Sequence, residues 1–374
     1  MHPVADAIAE VIGLEGPIRF DRFMEMALYA PGGYYDRSPV GPGPDADFVT
    51  SPHVHPVFAQ LVAEAIRDLH RTLGRPGQFD LVEIGAGDGT LMRALIPELT
   101  DLSPRATAVE RSPGARASLS GVGGLDVRDS LPPPTRPTVL VAHEVLDNLP
   151  FRRFRATDEG ARESYVGRDA NRFVEVLEPL PAGLVPPREP AIADGEWVIP
   201  SGAMRLLDDA FPHPAVDVPP RALLAIDYGG EHGGGGPSHG YAGHRLVEDV
   251  LEAPGTTDIT AGVDFGALAD ESRERGLQAF ATVSQRDAMA ALGFETWMHT
   301  ELERQIDLLR TGRGADAVAT WGGRSRASLL VDPAALGRFR WFVVTTPGVP
   351  EPSWLRSARD RAEHRRGPGS RTEP

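Results

Sequence analysis

The chain has 374 residues, 41% of them hydrophobic and 24% charged, with a net charge of −15 at pH 7. That composition fits a globular protein with one large core or two smaller ones, and the surplus of acid excludes non-specific adhesion to nucleic acid or to an anionic membrane. The absence of cysteine excludes disulfides, thiolate zinc sites and a cysteine nucleophile, and because all 38 basic residues are arginine, there is no catalytic lysine and no Walker-type phosphate lysine.

The opening stretch MHPVADAIAEVIGLEG lacks the basic start and unbroken apolar run of a signal peptide. Its Val4, Ala7, Ile8, Val11 and Ile12 instead share one helical face. No apolar run approaches the ~20 residues of a membrane helix, so the expectation is a cytoplasmic protein with no membrane insertion and no nucleic-acid partner. Residues 1–78 read as a helical cap. In FDRFMEMALYA the stripe Phe20, Phe23, Met24, Ala27, Leu28 marks a helix whose aromatics belong to a core rather than a ligand cage, and PGG ends it. A loop rich in turn residues, YYDRSPVGPGPDADFVTSP, follows. Ser51 and Pro52 then form a cap and first-turn pair for a helix that turns Val54, Phe58, Leu61, Val62, Ala65 and Leu69 inward.

The rhythm changes at residue 79. FDLVEI, RATAVE, GLDVRDSL and TVLVAHE read as strands, with TLMRALIPEL and PGARASL as helices between them, which predicts a parallel sheet with helices on its faces. Residues 151–220 alternate like antiparallel strands and read as an insertion. RALLAIDYG at 221 resumes the sheet, followed by helices near 264–276 and 285–310 and a last strand in RFRWFVVTT, to about residue 350. Residues 351–374 read as a polar, disordered tail. The fold class expected is α/β: a Rossmann-like, doubly wound, mostly parallel sheet in two halves (79–150 and 221–350), with an N-terminal helical region and an inserted antiparallel β-rich segment.

The first of these strands runs into Gly85-x-Gly87-x-Gly89. Glycine allows the turn and lets a ligand approach the backbone, and the following helix offers free N–H groups. A dinucleotide fingerprint would put its third glycine at 90, where this chain has threonine. Asp88 inside the turn would repel a pyrophosphate. Together with Glu83 it suits a ligand carrying a sulfonium, an ammonium and ribose hydroxyls, which describes S-adenosyl-L-methionine (SAM). Glu110, at the end of the second strand, is placed to accept both ribose hydroxyls. NAD remains the alternative cofactor, and a tight turn needed only for helix–sheet packing is the structural alternative.

The segments IRFDRFMEMALYAPGGYYDR, DFVTSP, EIGAGDGTL, HEVLDNLP and DITAGVDFGALA occur in this order. Over residues 17 to about 345 the chain thereby resembles the MidA-like family of class I SAM-dependent methyltransferases. A mitochondrial member of that family methylates a protein arginine and assists assembly of respiratory complex I. The resemblance therefore implies a protein substrate, with arginine the leading acceptor and a respiratory-complex subunit a candidate partner. It also implies that Gly85, Gly87 and Gly89 line the cofactor and that Glu110 meets the ribose. Asp129, Ser130 and Leu131 would lie near the adenine, with Tyr34, Tyr35, Phe48 and Thr50 covering the site. Tyr241 and His244 match the family's Y-x-x-H. His53 stands where the family usually has glutamate.

Methyl transfer to a guanidinium needs carboxylates that hold its forked N–H groups and a group to take the proton. HEVLDNLP, at the end of the fourth strand, offers Glu144 and Asp147 three residues apart. These are the expected catalytic, acceptor-binding carboxylates, with Asn148 as orienter. The alternative is that Asp147 caps a helix and Glu144 pairs with an arginine. Asp227 and Tyr228 end the next strand, either lining the acceptor pocket or serving only as turn residues. The histidines at 53, 55, 232, 239 and 244 lack a matched carboxylate set, so no metal is expected. Three other functions stay open: methylation of a small molecule, a non-catalytic SAM-binding assembly factor, and an NAD-dependent dehydrogenase.

Overall fold

Leucine, valine, alanine and isoleucine fill residues 81–84, 139–142 and 222–226 with almost no polar alternation, the pattern of strands buried on both faces. The computed structural model describes residues 2–37, 50–181, 183–184, 195–212, 218–231, 237–243, 245–247 and 249–366. In it these runs form the middle of an eight-stranded sheet. Five strands lie parallel in the order Leu125–Arg128, Arg105–Val109, Asp80–Ile84, Thr138–His143 and Arg221–Asp227. Arg340–Thr345 adds to Arg221–Asp227 in the antiparallel sense, and the short strands Gln278–Ala279 and Val283–Ser284 pair with it in turn. The sheet is thus the doubly wound, mostly parallel one expected.

Side chains alternate between its two faces, as strand geometry requires. Val139 and Val141 pack with Phe58 and Val62 of helix Val57–Thr72 and with Leu91 and Met92 of helix Thr90–Glu98. Leu140 and Ala142 face the other way, onto Leu207 of helix Ser201–Ala210 and Phe265 of helix Phe265–Glu274. From Asp80–Ile84 the chain first builds outward through Arg105–Val109 and Leu125–Arg128. It then crosses back to add Thr138–His143 on the other side of Asp80–Ile84. Such a switch point opens a crevice at the carboxyl ends of the strands.

Helix Phe20–Tyr29, which follows helix Pro3–Glu15, buries the stripe read from the sequence, and Phe20 stacks on Phe151 at 5.6 Å, in the core. Just before it, Ile18–Arg19 pairs with Gly160–Asp169, which ties the cap to an antiparallel sheet. That sheet also holds Arg152–Thr157, Arg172–Pro179 and Glu196–Ile199. Helix Ser201–Ala210, which follows it, has no counterpart in the sequence reading.

Two expectations are corrected. The predicted disordered tail forms a helix over Ser353–Arg366. Its arginines conceal one apolar face: Trp354, Leu355 and Ala358 are buried, and Trp354 meets Trp341 edge-on at 5.5 Å. Asp68 Oδ2 anchors its start, accepting from Ser353 Oγ at 2.8 Å and the Trp354 N–H at 3.1 Å. The helix read over 285–310 is two helices, Gln285–Ala291 and Phe294–Arg310, parted at Gly293, whose φ of +110° no continuous helix allows. A further helix, Gly314–Ser328, follows them. The candidates Phe48, His232 and His244 lie outside the described residues.

Candidate active site

Between Ile84 and Thr90 the chain must leave a strand and start a helix within five residues. It does so with Gly85, Gly87 and Gly89 at φ of +68°, +54° and +78°, a region that glycine enters without the Cβ penalty. At Gly85 the close approach is equally demanding, since a Cβ there would stand 2.6 Å from Val145 Cγ2. Glu110 reaches back across the turn. One carboxylate oxygen accepts the Gly87 N–H at 2.8 Å and the other the Ser112 N–H at 2.8 Å. Each oxygen keeps a further lone pair, enough for two vicinal hydroxyls. Replacing Glu110 by alanine is expected to weaken S-adenosylhomocysteine binding by about 1–3 kcal/mol. Calorimetry checks this, and unchanged affinity would remove Glu110 from the cofactor site.

Glu83 lies buried beneath the turn. Burial, reinforced by the charges of Asp88 and Glu110, pushes its carboxyl well above the usual range, although the Met92 N–H opposes the shift. Its Oε2 has no hydrogen-bond partner. A buried acceptor without a donor calls for one, and a ligand ammonium at the mouth of the turn would supply it. SAM thus fits the residues present: an acceptor for its ammonium, a carboxylate for its ribose, and a turn open to close approach.

Asp88 is already engaged. Its carboxylate accepts the Thr90 N–H at 2.9 Å and Thr90 Oγ1 at 2.8 Å, and its Oδ2 lies 3.0 Å from His53 Nε2. Burial alone would raise its pKa, but these bonds outweigh burial and hold it below its ordinary value. The other ring nitrogen of His53 bonds Thr50 Oγ1 at 3.0 Å. Thr50 and His53 therefore clamp the short helix Ser51–Val54 to the glycine turn, an arrangement that spacing alone did not disclose. His55 packs against Trp297 at 4.9 Å and His239 against Tyr241 at 5.4 Å.

The crevice is a cavity of about 750 Å³. Glu83, Gly85, Gly87, Asp88, Thr90 and Glu110 form its floor, and Asp129, Ser130 and Leu131 one wall. Gly89 lies behind the lining, where a Cβ would strike Leu119 Cδ2 at 2.2 Å. Thr50, Tyr29 and Tyr35 also line the cavity, whereas Tyr34 is buried in the N-terminal core. Tyr29 and Tyr35 stack at 5.5 Å, and Arg111 lies over the Tyr29 ring at 4.1 Å. Sequence reasoning missed Tyr29 and Arg111; the one signal for Arg111 was its place directly after Glu110. Eight acids and two arginines line the cavity, so its field favours a cationic guest.

Glu144 begins the turn after Thr138–His143 and lines the cavity. Its φ is +50°, a conformation that a non-glycine residue holds only where its surroundings enforce it. Two bonds do so: its N–H donates to Ile226 O at 2.9 Å, and its Oε1 accepts the Ser51 N–H at 3.1 Å. His143 Nε2 stands 3.1 Å from the same oxygen, without hydrogen-bonding geometry.

Asp147 does not share this cleft. Residues 144–150 form an irregular turn rather than a helix, so the three-residue spacing does not align the two acids. Asp147 points behind the cavity wall, where its Oδ2 accepts Thr260 Oγ1 at 2.8 Å and its Oδ1 has no hydrogen-bond partner. Asp227 is likewise a turn residue: its Oδ2 accepts the N–H groups of Val145, Leu146 and Asp147, and its Oδ1 that of Tyr228. Tyr228 Oη bonds Thr260 Oγ1 at 2.6 Å. Asn148 lines the cavity, yet its Nδ2 donates to Asp258 Oδ1 at 2.9 Å, as Tyr35 Oη does at 3.0 Å.

Burial, with Asp227 and Asp258 close by, pushes Asp147 well above the carboxylate range. Burial followed by Glu144 lifts Asp227 to about 7. An acid whose folded pKa exceeds its unfolded value of ~3.9 keeps a proton that the unfolded chain has released. Its stabilising contribution is complete below about pH 4 and is lost as pH rises through its folded pKa. The Asp147→Asn variant should therefore show a shallower loss of melting temperature than wild type between about pH 4 and pH 7. Parallel slopes in thermal melts would show that Asp147 is ordinarily ionised.

The sheet order, the glycine turn at the switch point and the acidic cavity above it define a SAM-dependent methyltransferase of the Rossmann-like class I fold. The chain belongs to the family Methyltransf_28, the MidA-like SAM-dependent methyltransferases, whose pattern matches residues 61–283. It is similar to a COG1565 superfamily member from Burkholderia thailandensis whose crystal structure holds S-adenosyl-homocysteine. The TM-score is 0.77 at 25% identity, covering 96% of this chain and 94% of that one. Among curated proteins it is similar to the mitochondrial protein arginine methyltransferase NDUFAF7 of Danio rerio, 25% identical over 90% of this chain and 85% of that protein. The Homo sapiens protein of the same name is 26% identical over 77% and 73%. Those relatives are named as mitochondrial, so they give the cytoplasmic expectation no support. Among the described residues no helix is long and apolar enough to cross a membrane.

Proposed function

We propose that this SAM-dependent methyltransferase acts on a protein side chain, with arginine as the acceptor. The observation that carries the reading is Glu144, a carboxylate held in a strained backbone conformation at the wall of an acidic cavity. The relatives named as protein arginine methyltransferases support the choice of acceptor.

When bound, SAM supplies a methyl group on a positively charged sulfur. The residues of this chain bind, orient and remove a proton. Glu83 Oε2 accepts an ammonium and Glu110 accepts the ribose hydroxyls, so one end of the site is fixed. Glu144 keeps acceptor capacity beyond its bond to Ser51. It holds an N–H of the incoming guanidinium, fixes the plane of that group and takes the proton released after attack. Tyr29 and Tyr35 cover the site and limit water. Alignment of this kind supplies much of the barrier reduction in a displacement that asks little else of the protein. Asp147 and Asn148 are reassigned to positioning: with Asp258 and Thr260 they hold the turn that presents Glu144.

The test is incubation of the purified protein with methyl-labelled SAM and a cell lysate. The expected result is a labelled protein band that yields methylarginine on hydrolysis, and a respiratory-complex subunit is the first band to examine. Label confined to small molecules would replace this reading with small-molecule methylation. S-adenosylhomocysteine binding without any transfer would favour a scaffold role.

A further inference from the structure

Strand Thr138–His143 ends on an imidazole that its surroundings leave unsatisfied. Alternate side chains of a strand share a face, so His143 follows Val139 and Val141 towards helix Val57–Thr72, where its ring packs against Phe58 at 5.1 Å. Phe58 is fully buried and meets Trp341 edge-on at 6.2 Å, which makes a rigid backing for the ring. His143 is 8% exposed and also lines the cavity. Its Nε2 is buried and has no hydrogen-bond partner, and a buried polar atom of that kind calls for a reason.

Glu144 Oε1 stands 3.1 Å from that nitrogen. A lone pair on Nε2 would meet those of the carboxylate and be repelled, whereas an N–H there would be attracted. What the pair lacks is alignment, and the last torsion of a glutamate is broad enough to supply it. The same Oε1 already accepts the Ser51 N–H at 3.1 Å. With Ser51 as its one donor the carboxylate is pinned at a point and can swing about it. A second donor on a fixed ring would fill both lone pairs of Oε1 and leave those of Oε2 to an incoming group.

We propose that His143 is a positioning residue for methyl transfer: its Nε2 carries the ring proton and donates it to Glu144 Oε1 in the reacting complex, which fixes the place where Oε2 meets the acceptor. The ring keeps that proton throughout, and Glu144 takes the one released from the guanidinium. This role rests on Glu144 being the acceptor carboxylate.

Two substitutions at one position test it. Glutamine offers an amide N–H near the place of Nε2, whereas leucine fills the space without a donor. With methyl-labelled SAM and lysate protein as acceptor, His143→Leu should lower kcat roughly 10- to 100-fold, about what a hydrogen bond to a charged group contributes. The KM for SAM should stay within about threefold of wild type, and His143→Gln should recover kcat to within about fivefold. The melting temperature of His143→Leu should not fall, because leucine removes the unpartnered nitrogen together with its desolvation cost. Nitrogen-15 spectra of histidine-labelled protein, with His143→Gln to assign the signal, should show Nε2 protonated before any acceptor is added. An unprotonated Nε2 overturns the role, as does a folded His143→Leu that turns over like wild type. An equal loss of kcat in both variants overturns it too, since the donor would then be irrelevant. Turnover retained by Glu144→Gln removes the reading beneath this role, whereas turnover lost there and kept in His143→Leu removes His143 alone.

Discussion

Replacing Glu144 by glutamine is expected to stop methyl transfer while leaving the cofactor site intact. Glutamine keeps the shape of the side chain and an oxygen that can accept the Ser51 N–H, now 3.1 Å from Glu144 Oε1. What it loses is the charge proposed to hold a guanidinium and the basicity proposed to receive its proton. Removing a positioned general base costs about 10²–10⁴ in rate, so kcat should fall into that range. The affinity for S-adenosylhomocysteine should stay within about threefold, because Glu83 and Glu110 are untouched. Labelled methyl transfer and calorimetry on the same preparation separate the two effects. A variant that retains more than a fifth of wild-type turnover would remove Glu144 from the chemistry.

The second large effect should come from Gly85→Ala. Its φ of +68° costs an L residue about 1–2 kcal/mol, and the new Cβ would meet the stiff, branched Val145 at 2.6 and 2.9 Å. Overpacking of that kind typically adds 1–3 kcal/mol, for a total loss of about 2–5 kcal/mol in unfolding free energy. The strain would not stay local, because Val145 follows Glu144 and its N–H is held by Asp227 at 3.1 Å. Cofactor affinity should therefore fall together with stability. Gly13→Ala is the control: Gly13 sits in helix Pro3–Glu15 with nothing within 4 Å of the added Cβ. Alanine there should be neutral or stabilising by up to about 1 kcal/mol. Equal melting temperatures for Gly85→Ala and wild type would show that the turn can relax.

His53 bears on both experiments. It is not a spare side chain, and among the described residues no group of three or more acids and histidines is arranged to hold a metal. Its ring joins Thr50 on one side to Asp88 and Thr90 on the other. The Ser51 N–H that orients Glu144 lies between Thr50 and His53 in the chain, so Glu144 and the glycine turn share one support.

Some of this was legible from local pattern. The parallel strands announced themselves as short apolar runs, the glycine turn as Gly-x-Gly-x-Gly after the first of them, and Glu110 as the acid that ends the second. Each depends on neighbours within a few residues or on one βαβ repeat, so linear spacing carries the information. The helix Ser353–Arg366 was missed because its three buried residues are outnumbered by arginines, and what makes those positions interior includes helix Gln285–Ala291 and Asp68, both far away in the chain.

The amino-acid order by itself determined the α/β class, the cofactor end of the cavity and its acidity, since these follow from periodicity, composition and the special backbone freedom of glycine. Tertiary structure alone decided which carboxylate faces the cavity. Glu144 and Asp147 look equivalent in HEVLDNLP. The first is turned into the cavity by a left-handed backbone and the Ser51 N–H, while the second is drawn behind the wall by Thr260. The partners that part them lie roughly a hundred residues away along the chain, beyond the reach of any local rule.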